Sequence, residues 1–157
     1  MYTSEVTFTR RLVLVDIENI VGGGVSLPEQ VHDAQAAIAA AIDLRDGDQV
    51  VLACGRLGVD VVGFEWQGPR RLVFRAGSDG ADLELLDILE TERVADRFAE
   101  VVLVSGDGIF STVVSLLGHR TNVTVVSRAD ACSRKLRMAA QRVIDLNYDP
   151  TASKEAA

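Results

Sequence analysis

Six short runs of β-branched and leucine-rich residues punctuate this chain, at about 11–16, 49–53, 71–74, 101–104, 123–126 and 142–145. Most are separated by segments of helical character, and strand, helix, strand in succession implies parallel pairing, right-handed crossovers and helices on both faces. The expected fold class is therefore α/β, a three-layer α/β/α sandwich with a central, mainly parallel sheet. Helices are expected at 29–44, entered through Pro28, and at 79–93, 109–117 and 133–140. Residues 57–64 are apolar without a clear period and read as short helix or strand. The first strand leads into a loop containing Gly22-Gly23-Gly24, with no helix expected before Glu29.

With 157 residues the chain is long enough for one domain with a sizeable core and short for two. A domain over 11–148 is expected, flanked by an N-terminal extension (1–10) and a small, polar, disordered tail (149–157). No apolar run approaches the roughly 20 residues that span a bilayer, and residues 1–10 lack the apolar stretch of a secretion signal. Cys54 and Cys132 show no metal-ligand spacing and read as reduced thiols. A soluble, cytoplasmic protein with no membrane partner is expected.

Three of the strand-like runs lead into acidic loops: Val15-Asp16-Ile17-Glu18-Asn19, the stretch Asp79-Gly80-Ala81-Asp82 after Phe74-Arg75, and Val104-Ser105-Gly106-Asp107. In a sheet that is parallel at its centre, such loops lie on one edge, where ligands bind. Asp16, Asp82 and Asp107 are thus expected to converge, and convergent carboxylates repel one another unless a cation sits between them. Asp16 ends a nearly continuous apolar run, where an unpaired buried carboxylate costs about 2–7 kcal/mol or more. A helix cap explains it poorly if the next helix begins far downstream. Asn19 either shapes the turn before Gly22 or orients Asp16 or a metal-bound water.

The structural explanations differ from loop to loop. Ser78 or Asp79 can cap the helix that follows, and acids in a first turn suit the helix dipole. Asp79 and Asp82 share a helix face, whereas Asp87 lies about 140° around from Asp82, so Asp82 is the better ligand. Ser105-Gly106-Asp107-Gly108 opens a helix, where Asp107 is either a cap or a site residue.

Taken together these residues resemble the NYN branch of the PIN-like nuclease superfamily. The resemblance rests on Asp16-x-x-Asn19, on Gly80-Ala81-Asp82-Leu83-x-Leu85-Leu86-Asp87, and on Ser105-Gly106-Asp107-Gly108-x-Phe110, and it covers about residues 11–147. It implies a PIN-like, Rossmann-like sandwich whose carboxylates bind Mg²⁺ or Mn²⁺ and cleave RNA phosphodiesters. On this chain Asp16, Asp82 and Asp107 would be metal ligands and catalytic residues, with Asn19 assisting in catalysis, Ser105 assisting at the substrate, and Asp79 or Asp87 as supplementary ligands. One position departs from the family pattern: its last motif commonly carries a second aspartate where this chain has Ile109. Cation binding is consequently a firmer expectation than turnover, and a catalytically silent RNA-binding or regulatory protein is the alternative.

The net charge of −7 argues against a protein that coats nucleic acid nonspecifically, but not against a nuclease, because bound cations offset an acidic site. Local basic segments matter more: Arg134-Lys135-Leu136-Arg137 as flanking-phosphate ligands, and the pairs Arg10-Arg11 and Arg70-Arg71. RNA is the expected partner; a homodimer is compatible with these residues, though none of them specifies it. Trp66 is a candidate base-stacking residue or a cover for the core, and Phe110 reads as core. A phospho-acceptor domain would need a lysine after the fifth strand, where Ser127-Arg128 stands. A haloacid-dehalogenase-type phosphatase would need aspartate at Glu18, and a dinucleotide site would need G-x-G-x-x-G after the first strand.

Overall fold

A computed structural model describes residues 10–152 of the chain, so the extension before Arg10 and the tail from 153 lie outside the described residues. Strand β1 (Arg11–Asp16) shows why the apolar runs are strands. Leu12 and Leu14 pack into one apolar cluster and Val13 and Val15 into the other, so a period of two buries both faces. The same logic builds β2 (Gln49–Gly55), β3 (Arg71–Arg75), β4 (Glu100–Val104), β5 (Asn122–Ser127) and β6 (Arg142–Asp145). They form one sheet in the order β3-β2-β1-β4-β5-β6. Every pairing in it is parallel, where only a mainly parallel sheet was expected.

Helices cover the two faces as the crossovers require. On one side lie α1 (Ile17–Val21), α2 (Pro28–Ile42) and α3 (Val59–Glu65), which bury Ile17, Ile20, Val31, Ile38 and Val62 in a common cluster. On the other lie α4 (Gly80–Thr91), α5 (Val94–Arg97), α6 (Ser111–Leu117) and α7 (Arg134–Ala139), burying Leu85, Ile88, Val94, Val114 and Leu136. In α2 the buried residues Val31, Ala34, Ile38 and Ile42 recur at helical spacing, Pro28 occupies the first turn, and Gln30 accepts from the Leu27 amide at 3.0 Å. The ambiguous stretch 57–64 resolves into a 3₁₀ turn (Arg56–Gly58) followed by α3.

One expectation is corrected. The chain enters α1 directly from β1, so a helix does begin at Asp16, and its end is set by Gly22 in the left-handed region at φ +80°. The signal was present as an acid at the cap, Asn19 three residues on, and glycine just past the last turn. Of the two readings of Trp66, the structure selects the cover for the core over the free stacking residue: it is 3% exposed and belongs to the α2–α3 core. Phe110 is fully buried, as expected.

The sheet's N-terminal edge is fastened by a buried ion pair. Arg11 donates through Nε to Asp48 Oδ1 at 3.0 Å and through Nη2 to Asp48 Oδ2 at 2.5 Å, and its Nη1 reaches the Ile42 carbonyl at 2.9 Å. The side chains are 6% and 4% exposed, so Arg11 is a clamp joining β1, α2 and the entry to β2 rather than part of a basic surface. Burial pushes the Asp48 carboxyl up, yet the hydrogen bonds and charge of Arg11 outweigh it and hold that carboxyl below its ordinary value. Removing one partner of such a pair strands the other charge. Arg11→Met is expected to lower unfolding stability by about 3–5 kcal/mol, read as a shift in the urea midpoint, while adding Asp48→Asn recovers part of the loss.

Candidate functional site

Parallel pairing with β1 at the centre brings the first and fourth strand ends side by side, because the chain crosses to the other half of the sheet between β3 and β4. That is the switch point of a doubly wound sheet, and its C-terminal edge holds a cleft of about 130 Å³ lined by Asp16, Glu18, Asn19, Ser78, Asp82 and Asp107 among others. Asp16 comes from the end of β1, Asp82 from the first turn of α4, and Asp107 from the loop after β4. The three acids expected to converge therefore meet.

Short polar links hold each one. Asp16, 2% exposed, accepts the Ser105 hydroxyl on Oδ2 at 3.1 Å and the Asn19 amide on Oδ1 at 3.3 Å, the latter also capping α1. Asn19 in turn accepts the Gly106 amide at 2.9 Å, so its side chain ties the first loop to the fourth. The Asp107 amide donates to Ser105 Oγ at 3.2 Å, and Asp107 Oδ1 caps the following 3₁₀ turn (Gly108–Phe110) by accepting the Ile109 amide at 2.9 Å. Asp16 and Asp107 thus cap helical turns and face the cleft at the same time, so capping and convergence are not alternatives.

Backbone packing fixes where these loops stand. A Cβ on Gly106 would fall 2.1 Å from the Ala131 carbonyl oxygen, and one on Gly80 2.1 Å from the Arg75 carbonyl oxygen. Only glycine lets the Asp107 loop and the start of α4 approach so closely.

The charges are crowded. Burial raises the Asp16 carboxyl; hydrogen bonds from Asp82, the Asn19 amide and Ser105 oppose that rise, and the charge of Asp107 adds to it. Asp82 is pushed up to about 9, first by burial and then by its hydrogen bonding to, and repulsion from, Asp16 and Asp107. Even so, among the described residues no group of three or more His, Cys, Asp and Glu side chains stands in a metal-holding arrangement.

Other expected residues fall elsewhere. Asp79 and Asp87 are outside the cleft lining, and Asp79, which is exposed, makes no side-chain cap. Ser105, expected at the substrate, is 1% exposed and is spent on positioning Asp16 and Asp107. Arg134, Lys135 and Arg137 are exposed on α7, outside the cleft lining, with Arg137 donating to Asp145 at 3.2 Å. The start of α7 nevertheless abuts the site loop, since the Ser133 amide donates to the Gly106 carbonyl at 2.7 Å. Glu18 was missed as a site residue. It lines the cleft and accepts the Gly55 amide, fastening β2 to the same edge, and its place two residues after Asp16 was the available signal.

Comparison with known proteins settles the kinship. The family model of the NYN domain matches residues 67–147. This chain belongs to the NYN domain family. Over 68 residues the NYN protein is 38% identical to the low amplitude and bright protein LabA of Synechococcus elongatus, covering 43% of this chain and 37% of that one. It therefore spans little more than a third of that relative's length. A protein of unknown function from Vibrio parahaemolyticus superposes with a TM-score of 0.59 at 20% identity, over 94% of this chain and 97% of the other, which establishes the shared fold. An NYN domain is a nuclease-like, RNA-related module. Among the described residues no helix is long and apolar enough to cross a membrane.

The crowding has a pH signature. Between pH 3.8 and about 9 the folded state holds the Asp82 proton that the unfolded chain has lost, so stability contributed at this site falls as pH rises through that window. Urea unfolding across pH 5–9 is expected to show this decline in the wild type and to lose it in Asp82→Asn; an unchanged slope in that variant would contradict the shared-proton site.

Proposed function

We propose that this NYN domain is a metal-dependent ribonuclease that hydrolyses RNA phosphodiester bonds at the acidic cleft. The observation that carries the reading is the meeting of Asp16, Asp82 and Asp107, from three separate elements, at one cleft on the C-terminal edge of the sheet. The donor set fits a hard cation: it is all oxygen, and carboxylates crowded into one cleft are stabilised by positive charge among them. Asp16, Asp82 and Asp107 would hold Mg²⁺ or Mn²⁺, which when bound lowers the pKa of a coordinated water and offsets charge on the scissile phosphate. Asn19 and Ser105 set the carboxylates by the hydrogen bonds described, and Glu18 borders the cleft from the β2 side. Arg134 and Lys135 are exposed at the start of α7, next to Ser133, whose amide bonds the Gly106 carbonyl, and on this reading they would meet flanking phosphates.

A second reading has its own support. Ile109, 40% exposed, stands where the family pattern has an acid, and the acids are not already arranged around an ion. On that reading the domain binds RNA without cutting it.

Incubating the protein with labelled single-stranded and structured RNA, with Mg²⁺ or Mn²⁺ and with chelator, separates the two. Hydrolysis predicts cutting that chelator abolishes and that Asp107→Asn reduces by at least about 100-fold, the scale on which an electrostatic catalytic group acts. Cutting that survives both would sink the metal site, whereas retention without cutting favours the silent reading. Independently, Mn²⁺ is expected to raise the thermal midpoint of the wild type, and not of Asp16→Asn. Ile109→Asp is expected to enlarge that Mn²⁺ shift by restoring an acid to the motif.

A further inference from the structure

Residues 57–64 are apolar without a clear period, and the structure gives the reason: this segment is apolar on two faces. On the inner face of the 3₁₀ turn (Arg56–Gly58) and α3, Val62 is fully buried in the α2–α3 core, and a Cβ on Gly58 would fall 3.2 Å from the Val25 carbonyl oxygen. On the outer face stand Leu57, fully exposed, Val61, partly buried, and Phe64, 86% exposed. Their spacing of i, i+4 and i+7 sets them in one outward stripe. The edge strand widens it. Leu72 and Phe74 share a sheet face, a Cβ on Gly63 would meet Leu72 Cδ2 at 2.9 Å, and Phe74, 50% exposed, therefore stands on the α3 side.

A helix that is apolar all round belongs inside a structure, and here one of its faces lies outside. Exposed apolar side chains gathered in one place mark a docking surface. The charges along the stripe indicate its occupant. Arg56 and Asp60, one turn apart, are exposed and opposite in sign, and among the described residues neither makes a hydrogen bond or ion pair. At the far end Glu65 is engaged by His32 at 2.7 Å, and Arg70 donates to the Gly63 carbonyl. A nucleic acid would be repelled by Asp60 as it is drawn by Arg56, and a peptide of one sign gains from only one of the two. A second copy satisfies both: a two-fold axis that runs the two helices antiparallel lays the same border of each together in reverse order, so Arg56 of one copy lies along Asp60 of the other, twice over.

We propose that Leu57, Val61, Phe64 and Phe74 form an isologous interface with a second copy of this chain, antiparallel across α3, with Arg56 and Asp60 pairing reciprocally. The interface does not depend on the chemistry of the cleft. It begins beside it, because β2 enters this segment from Gly55, whose amide Glu18 holds at the cleft lining.

Four apolar side chains make a small contact, so a weak dimer is expected, read by sedimentation equilibrium of the full chain from about 1 to 300 µM. The wild type is expected to pass from monomer to dimer within that range. Phe64→Glu is expected to weaken association by at least about 10-fold, the scale of an aromatic anchor. Arg56→Asp and Asp60→Arg each set like charges together and are expected to weaken it alone, whereas an equimolar mixture of the two variants regains the dimer, since each copy then offers the charge the other lacks. Met138→Glu, at an exposed apolar residue on α7, serves as the reference. Circular dichroism melting of each variant separates a fold defect from an association defect. A wild type that stays monomeric overturns the second copy as occupant and leaves the stripe to a different protein. A dimer that Phe64→Glu weakens no more than Met138→Glu does overturns this face as the interface, and a mixture no tighter than its components overturns the antiparallel pairing.

Discussion

The hydrogen bond from the Ser105 hydroxyl to Asp16 joins the two central strands at their C-terminal ends, and the arrangement of the cleft follows from it. Ser105 is buried beside an acid that is itself buried, and the same hydroxyl oxygen receives the Asp107 amide. Asn19 repeats the link by accepting the Gly106 amide. These bonds cross between loops 87 and 89 residues apart in sequence, so they form only when β1 and β4 lie side by side. The site is in this sense a readout of the sheet order: any other placement of β4 would leave the buried Asp16 carboxylate with the Asn19 amide but without the Ser105 hydroxyl, and an unmet buried acceptor costs more than most single contacts return.

Crowding acids against one another is locally unfavourable, and the fold tolerates it because the rest of the edge is tightly held. Two glycines admit backbone carbonyls to distances that a Cβ would forbid, at Gly80 and Gly106, and these lie within two residues of Asp82 and Asp107. The opposite edge is secured by Arg11 and Asp48, whose charges already compensate each other. Both are clusters of ionisable groups at strand ends, but one contains a guanidinium and the other is made of carboxylates alone. A folded protein that carries the second kind concentrates its unmet electrostatic demand in one place.

The sheet was legible because each strand carries the alternation or continuous apolarity that burial on both faces requires, and Asp16, Asp82 and Asp107 could be placed because parallel strands put all their exits on one edge. What escaped a reading of the residues did so for separate reasons. Helix α1 is five residues long, too short to display a period, so only its caps announce it. The residues alone leave Trp66 open between two readings and group Arg11 with a basic segment, because a single aromatic or basic residue says nothing of its own burial until the packing around it is known. Glu18 is hard to find because its role depends on Gly55, a partner 37 residues away that only the β1–β2 register brings near.

On the metal-dependent reading, Ile109 bears on how many cations the cleft would hold. Its amide, not its side chain, is what the loop uses, as the donor that fixes the Asp107 carboxylate. An acid at this position would add negative charge to a group in which Asp82 already retains its proton up to about 9. With isoleucine, the cluster is one carboxylate poorer, and Mg²⁺ needs only one or two carboxylates when waters and phosphate oxygens complete its shell. The chain thus lowers the repulsion it must bear without cation while keeping the minimum that a single hard cation requires.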